Sequence, residues 1–264
     1  MNWTIAGTDM PSHDDQHQTL PHPVTAKARN YRGGETSMHS HPRAQLIYAG
    51  SGVMRVETES GCWVVPPVRG VWIPANTTHS VIMLGPVEMR TLYIRTDAAP
   101  GLPENCCLLE VSPLLRALIL ALIDEPLAYD QQGRGGQIAT LALAELRFLK
   151  IPALHLPMPG EPRLHQLCKA LVDNPDSRET LETLAEQQAT SSRTLARQFQ
   201  RETGMSFRQW RQQARLVEAL GHLATGIPVA LVAEKLGYRS ASAFTAMFKR
   251  TLDMESRRYF SAEQ

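Results

Sequence analysis

The 264-residue chain has only four cysteines (Cys62, Cys106, Cys107 and Cys168), none of them in a C-x-x-C pair and two of them adjacent. That usage speaks against a zinc ribbon and against a disulfide framework, and the thiols read as buried or idle. No stretch approaches the ~18 consecutive apolar residues of a membrane span, so no membrane partner is expected. Residues 1–18 are polar and rich in histidine, without the basic start and apolar run of a secretory signal, which makes the cytoplasm the expected compartment. Charge of one sign is missing as well, since 27 basic residues stand against 26 acidic ones. What the chain does have is apolar content, 43%, ample for a buried core, and a length that suits one or two domains.

The patterning changes twice along the chain. Residues 1–23 read as a flexible arm. Short runs at 45–48, 53–56, 63–65, 71–73 and 90–94 are bounded by Gly, Pro, Asn and Ser, as in a small antiparallel barrel or sandwich. From Leu108 the character becomes helical. Ser112 and Pro113 read as an N-cap followed by proline at the first helical position, and 114–123 is apolar on most faces. A second helix is expected over 136–150, where Ile138, Leu141, Ala142, Leu146 and Leu149 recur at helical spacing. Helices this apolar need partners, and a second copy of the chain is expected to cover at least one of them. Four prolines within residues 151–162 block helix and ladder continuation and mark a linker. Everything after it is helical in pattern, so the fold class is α+β.

Charge is unevenly spread. Residues 161–264 carry 15 basic and 12 acidic side chains, net +3, against net −2 for the first 160. The clustering of arginine there suits a polyanionic partner. Thr180 can cap a helix over 181–188, Ala189 and Thr190 form a short turn, and Ser191 or Ser192 caps a second helix over 193–202 that Thr203 and Gly204 end. Leu195 and Phe199 face inward; Arg193, Ala196, Arg197 and Gln200 lie opposite. The layout recurs at 228–252. There Val229, Val232, Ala233 and Leu236 form an inner stripe, Gly237 stops the helix, and Ser240 caps the next one, with Phe244, Met247 and Phe248 inward. A short helix, a tight turn and a helix with polar outward positions form a helix-turn-helix, whose second helix enters the major groove. The helix between the repeats, 206–225, would be ~30 Å long, close to the ~34 Å that separates successive major grooves on one face of B-DNA.

These features fix the candidate contacts with double-stranded promoter DNA. Base edges fall to Ser192, Arg193, Ala196, Arg197 and Gln200 in the first unit and to Ala241, Ser242 and Thr245 in the second, because Arg bonds guanine and Gln bonds adenine bidentately. Phosphates fall to Arg208, Arg211, Arg215, Lys249 and Arg250.

Residues 163–260 resemble the DNA-binding domain of the AraC/XylS family of bacterial regulators. The match is carried by Leu184, Ala185 and Glu186, by Ser192, Arg193, Thr194, Leu195, Arg197 and Phe199, and by Glu202, Thr203, Gly204 and Arg215. It continues through Ala233, Glu234, Lys235, Leu236, Gly237 and Tyr238, then Ser242, Phe244, Phe248, Lys249 and Arg250. Three positions depart from the pattern: Ala189 stands where the first turn usually has glycine, and Asp253 and Ser256 stand where a glycine and a proline are usual.

In the N-terminal part, Gly33 is followed by His39, His41, Gln45 and Gly52, and later by Pro74, Asn76 and His79. Alternate residues of a strand share a face, which puts His39 and His41 on one side. The spacing resembles the two motifs of the cupin barrel, in which three His and one Glu hold a metal; Gln45 stands where the Glu is usual and Asn76 where a Gly is usual. The resemblance gives His39, His41, Gln45 and His79 as an effector or metal site. In one reading the imidazoles bind a divalent transition metal, Zn, Ni or Fe. In the other they line a pocket for an organic effector.

Together the segments divide the chain into a flexible arm (1–23), a cupin sensor barrel (24–109), a helical dimerisation region (110–150), a proline-rich linker (151–162) and a double helix-turn-helix DNA-binding domain (163–264). The expected function is a homodimeric transcription regulator, not an enzyme, that senses a small molecule or metal. The resemblance implies mostly activators, with RNA polymerase as partner, but also repressors among the cupin-type members, some of them controlling efflux or metabolic genes. A cupin-type metal-dependent dioxygenase or isomerase is the alternative, and the appended DNA-binding domain weighs against it.

Overall fold

The computed structural model describes residues 4–6, 15–67, 69–98, 101–149 and 155–252. The described residues form two units, one within 4–58 and 65–149, the other within 59–64 and 155–252.

The first unit is a curled antiparallel sheet backed by helices. Its elements are β1 (Thr4–Ala6), α1 (Asp15–Thr19), β2 (Val24–Glu35), β3 (Ala44–Ala49), β4 (Met54–Thr58), and, after β5 (Gly61–Val65), β6 (Arg69–Ile73), β7 (His79–Met83), β8 (Val87–Ile94) and β9 (Cys107–Glu110). Helices α2 (Pro113–Ile123) and α3 (Arg134–Ala144) and strand β10 (Arg147–Leu149) complete it. The strand order is β10-β9-β6-β3-β8-β2-β7-β4, with β1 parallel to β2. Strand β2 turns the corner of the sheet: Val24–Tyr31 pair with β8, while Gly34 and Glu35 pair with β7. Gly33 and Gly34 at the bend have φ of 143° and 101°, backbone that side-chain-bearing residues avoid.

Ser112 caps α2 as its sequence implies, its hydroxyl accepting from Leu115 N–H at 3.0 Å. Leu115, Leu118, Ile119 and Leu122 then bury against Leu46, Trp72, Leu92, Ile94 and Leu109 of the sheet and Ala139 and Ala142 of α3. The apolar helices are thus covered largely within their own unit, leaving Leu114, Leu120 and Leu141 exposed. Helix α3 ends at Ala144 rather than running to Lys150. Arg147–Leu149 instead pair with β9 and extend the sheet, and Phe148 sets its ring edge-on against Trp72.

Residues 15–23, expected to be a flexible arm, are tied down. Arg43, 3% exposed, donates from its guanidinium to the carbonyls of Gln18, Leu20 and His22, and Thr25 donates to the carbonyl of His17. A buried guanidinium must spend its donors, and these carbonyls are what it meets.

The second unit is helical, with α4 (Pro162–Asp173), α5 (Leu181–Gln187), α6 (Ser192–Thr203), α7 (Phe207–Ala224), α8 (Val229–Lys235) and α9 (Ala241–Leu252). The stretch expected to be a linker is partly structured. Strand β11 (His155–Pro157) pairs antiparallel with β5, and Glu161 caps α4 by accepting from Arg163 and Leu164 N–H. Residues 151–154 lie outside the described residues. Trp63 stacks on His155 at 4.3 Å, while Trp210 and Gln213 of α7 donate to the carbonyls of Pro157 and His155.

Candidate nucleic-acid interface and histidine cluster

Helix α7 is buried along a broad face through Trp210, Gln213, Ala214, Leu216, Val217, Ala219 and Leu220, and contacts α4, α6 and α8. Its 18 residues correspond to a length of about 27 Å. On one side of it α5 and α6 close over Leu184, Leu195 and Phe199; on the other α8 and α9 close over Val232, Leu236, Phe244 and Phe248. Each second helix is capped by a serine. Ser191 accepts from Thr194 N–H, and Ser240 from Ala243 N–H. The two units repeat in detail, down to the turn between their helices.

With the cores fixed, α6 presents Arg193, Arg197 and Gln200 to solvent at helical spacing, with Ser192 and Ala196 half-buried beside them. Gln200 also uses its amide to close its own helix, donating to the carbonyl of Gly204 at 2.9 Å. On α9 Ser242, Lys249 and Arg250 are exposed and Ala241 and Thr245 half-buried; the Thr245 hydroxyl donates back to the Ala241 carbonyl at 2.8 Å. Arg208 is exposed at the start of α7.

Two of the expected phosphate contacts point elsewhere. Arg211 donates to the carbonyls of Glu179 and Ser177, and Arg215 to those of Pro175 and Ser177. These arginines anchor the 174–180 loop to α7, so their guanidinium hydrogens are engaged inside the domain rather than offered to a phosphate. Sequence reading also passed over Arg239, exposed in the turn directly before the Ser240 cap; its place beside the second recognition helix was the available signal. Asp253 and Ser256 lie outside the described residues.

In the first unit the four expected residues do come together. His39 and His79 exchange backbone hydrogen bonds of 3.0 and 2.9 Å, and Asn76 N–H donates to the His41 carbonyl at 2.8 Å. Asn76 sits at φ 60°, the left-handed region that asparagine tolerates better than most residues, which accounts for its standing where glycine is usual. The three rings lie 4.5–5.9 Å apart, and their ligand nitrogens fall within 4.8 Å of one another.

Each imidazole is held by a backbone carbonyl two residues away. His39 Nδ1 bonds Ser37 O at 2.8 Å, His41 Nδ1 bonds Arg43 O at 2.7 Å, and His79 Nδ1 bonds Thr77 O at 2.8 Å. A carbonyl only accepts, so each Nδ1 carries a proton and each Nε2 is the nitrogen left to face the other rings. Burial pushes His79 down to about 4 and lowers His41 as well, which keeps both rings neutral at pH 7. His79 Nε2 is buried without a partner. His41 Nε2 meets the Gln45 amide at 3.0 Å; since His41 Nδ1 holds the proton, the amide must offer its NH₂ there. Nε2 atoms that converge, with Nδ1 protons fixed on carbonyls, are the arrangement that metal-ligating histidines adopt, and at His41 a metal would replace the Gln45 amide. The residues therefore fit a divalent transition metal.

No helix among the described residues is long and apolar enough to cross a membrane. A family model described as a helix-turn-helix domain matches residues 184–262. The HTH-type transcriptional regulator NimR of Escherichia coli K12 is 36% identical over 224 residues, 85% of this chain and 82% of NimR. The HTH-type transcriptional regulator RipA of Corynebacterium glutamicum is 34% identical over 122 residues, 46% of this chain and 36% of RipA. The multiple antibiotic resistance protein MarA of Escherichia coli K12 is 29% identical over 97 residues, 36% of this chain and 76% of MarA.

Proposed function

This chain belongs to the AraC/XylS family of helix-turn-helix transcription regulators, and on that premise we propose that it sets the activity of a promoter in response to a ligand held in its N-terminal sheet. The observation that carries the reading is the doubled helix-turn-helix astride α7, with a serine-capped second helix on each side. Helices α6 and α9 enter consecutive major grooves, Arg193 and Arg197 read base edges, and Arg208, Arg239, Lys249 and Arg250 hold phosphates. The polar chemistry is richer on α6 than on α9, so the first unit supplies most of the specificity and the second most of the anchoring.

His39, His41 and His79 are the residues that would hold a zinc, nickel or ferrous ion, with Gln45 as a neutral neighbour. Bound there, such an ion would supply a fixed positive charge held between the loop before β3, through His39 and His41, and the start of β7, through His79. The protein acts in the cytoplasm as a homodimer, and the exposed Leu114, Leu120 and Leu141 give the two copies an apolar contact. RNA polymerase is its partner where it activates, and an efflux or metabolic gene is the kind of target it controls.

The test is binding of the purified chain to the DNA upstream of its own gene, against a scrambled duplex of equal length and composition. A preference of about a thousandfold or more at physiological salt supports the reading. Equal affinity for the two duplexes overturns it.

A further inference from the structure

A metal ion held by these histidines would lack a counter-charge. Every donor in the cluster is neutral: three imidazoles and, beside His41, the amide of Gln45. Among the described residues, the side chains placed to share an ion are histidines alone, without an aspartate, glutamate or cysteine. The nearest phenol, Tyr93, meets His41 edge-on at 5.3 Å and is buried and neutral. The closest full charge carried by the same loop is Arg43, a buried cation whose own carbonyl holds His41. His79 is fully buried, Gln45 nearly so and His41 largely so, and His39 is the most open of the four to solvent. Among the described residues, a divalent ion in this site would meet no carboxylate or thiolate ligand to offset its double charge. Buried charges are stable when they are paired.

We propose that the site is completed from outside by an anion, and that the effector is a small carboxylate that binds together with the metal, entering from the His39 side. This rests on the metal-binding reading and adds the chemical class of the ligand to it. Gln45 then has a defined part. A glutamate at this position would offset one of the metal's two positive charges. An amide leaves the charge uncompensated, so occupancy by metal depends on the carboxylate. Linkage makes the dependence mutual, each ligand raising the affinity for the other by the same factor.

The experiment uses the full chain, stripped of metal with a chelator, and Co²⁺ as the spectroscopic probe. Bound Co²⁺ is measured by equilibrium dialysis and by its visible absorption, in a non-coordinating buffer at fixed pH and ionic strength, with acetate, malonate or perchlorate as the anion. The expected result is Co²⁺ affinity about tenfold or more higher in one of the carboxylates than in perchlorate, after correction for cobalt held by the free carboxylate, with a change in the cobalt spectrum as the carboxylate is added. The carboxylate should bind the metal-loaded chain and not the metal-free one. Gln45→Glu should raise Co²⁺ affinity in perchlorate and abolish the carboxylate enhancement; if that variant fails to fold, the wild-type comparison decides alone. Tight Co²⁺ binding that is the same in all three anions overturns the inference and leaves the metal reading intact. Absence of Co²⁺ binding in every anion overturns both.

Discussion

Ala189 and Gly237 occupy the same place in two successive helix-turn-helix units and share one backbone conformation, φ 50° and φ 71°. Ala189 N–H bonds Glu186 O at 3.0 Å and Thr190 N–H bonds Ala185 O at 2.9 Å; Gly237 N–H bonds Glu234 O at 3.0 Å and Tyr238 N–H bonds Ala233 O at 2.9 Å. One turn uses the residue suited to left-handed backbone and the other does not, and left-handed backbone costs a residue with a Cβ about 1 kcal/mol or more. Ala189→Gly should therefore stabilise the protein by about 0.5 kcal/mol, the relief of strain being partly offset by the freer unfolded chain. Gly237→Ala should destabilise it by about 1 kcal/mol. A new Cβ there meets Asp176 atoms at 3.6–3.7 Å, ordinary contact, so the loss comes from the backbone. Urea midpoints decide it, and a destabilised Ala189→Gly would contradict the turn geometry.

Arg197 and Arg211 should separate cleanly in DNA binding. Arg197 is exposed on α6, and Arg197→Ala should cost about 1–3 kcal/mol at one base pair and relax the preference there. Arg211 spends its guanidinium on Glu179 and Ser177 carbonyls, so Arg211→Ala should lower the unfolding midpoint and leave the slope of log affinity against log salt unchanged. Arg239→Ala should do the reverse, reducing that slope by roughly one phosphate contact, about 0.9, on every sequence. A lowered salt slope for Arg211→Ala, with stability intact, would restore it as a phosphate contact.

What the sequence made legible was what repeats at short range. Serine caps, the stripe of Leu195 and Phe199, its counterpart in Phe244 and Phe248, and the stop at Gly237 are all local signals, and each stands in the structure where the pattern implied. The histidine spacing carried the cluster in the same way, because His39 and His79 meet across one backbone bridge. What was missed depends on partners far along the chain. Arg43 reaches carbonyls 21–25 residues away and Arg211 carbonyls 32–34 residues away, and no periodicity marks a carbonyl as an acceptor. The end of α3 was missed for a related reason: Leu146 and Leu149 keep a helical spacing, yet the open edge of β9 gives that backbone ladder partners instead.

Gly136 is set by close approach rather than by φ. A Cβ on it would lie 1.9 Å from the Gln131 carbonyl oxygen, which is backbone and has no rotamer to yield. Gly136 N–H bonds Asp130 O at 3.2 Å, so the turn before α3 folds tightly onto its first residues. Gly136→Ala should destabilise the first unit by about 2 kcal/mol or more, through overpacking that forces this turn open. Neighbouring Gln137 is exposed to solvent, so Gln137→Ala should be near neutral and serves as the control. Equal midpoints for the two variants would show that the turn relaxes freely.

His155 makes the stability of the second unit depend on pH. Its ring is stacked on Trp63 and burial lowers it from 6.5 to about 4. The unfolded chain takes up a proton near 6.5 and the folded one only near 4, so below 6.5 the unfolded state binds more protons and stability rises with pH across that window. The contribution is fully present above 6.5 and is lost as the pH falls toward 4. Between pH 7 and pH 5 the loss should be about 2 kcal/mol, because each step of one pH below 6.5 costs about 1.4 kcal/mol. His155→Phe keeps an aromatic ring against Trp63 and removes the titration. Urea unfolding followed by helical circular dichroism at pH 7 and pH 5 should show the variant losing about 2 kcal/mol less than the wild type over that interval. An identical loss in both proteins would place the acid sensitivity elsewhere.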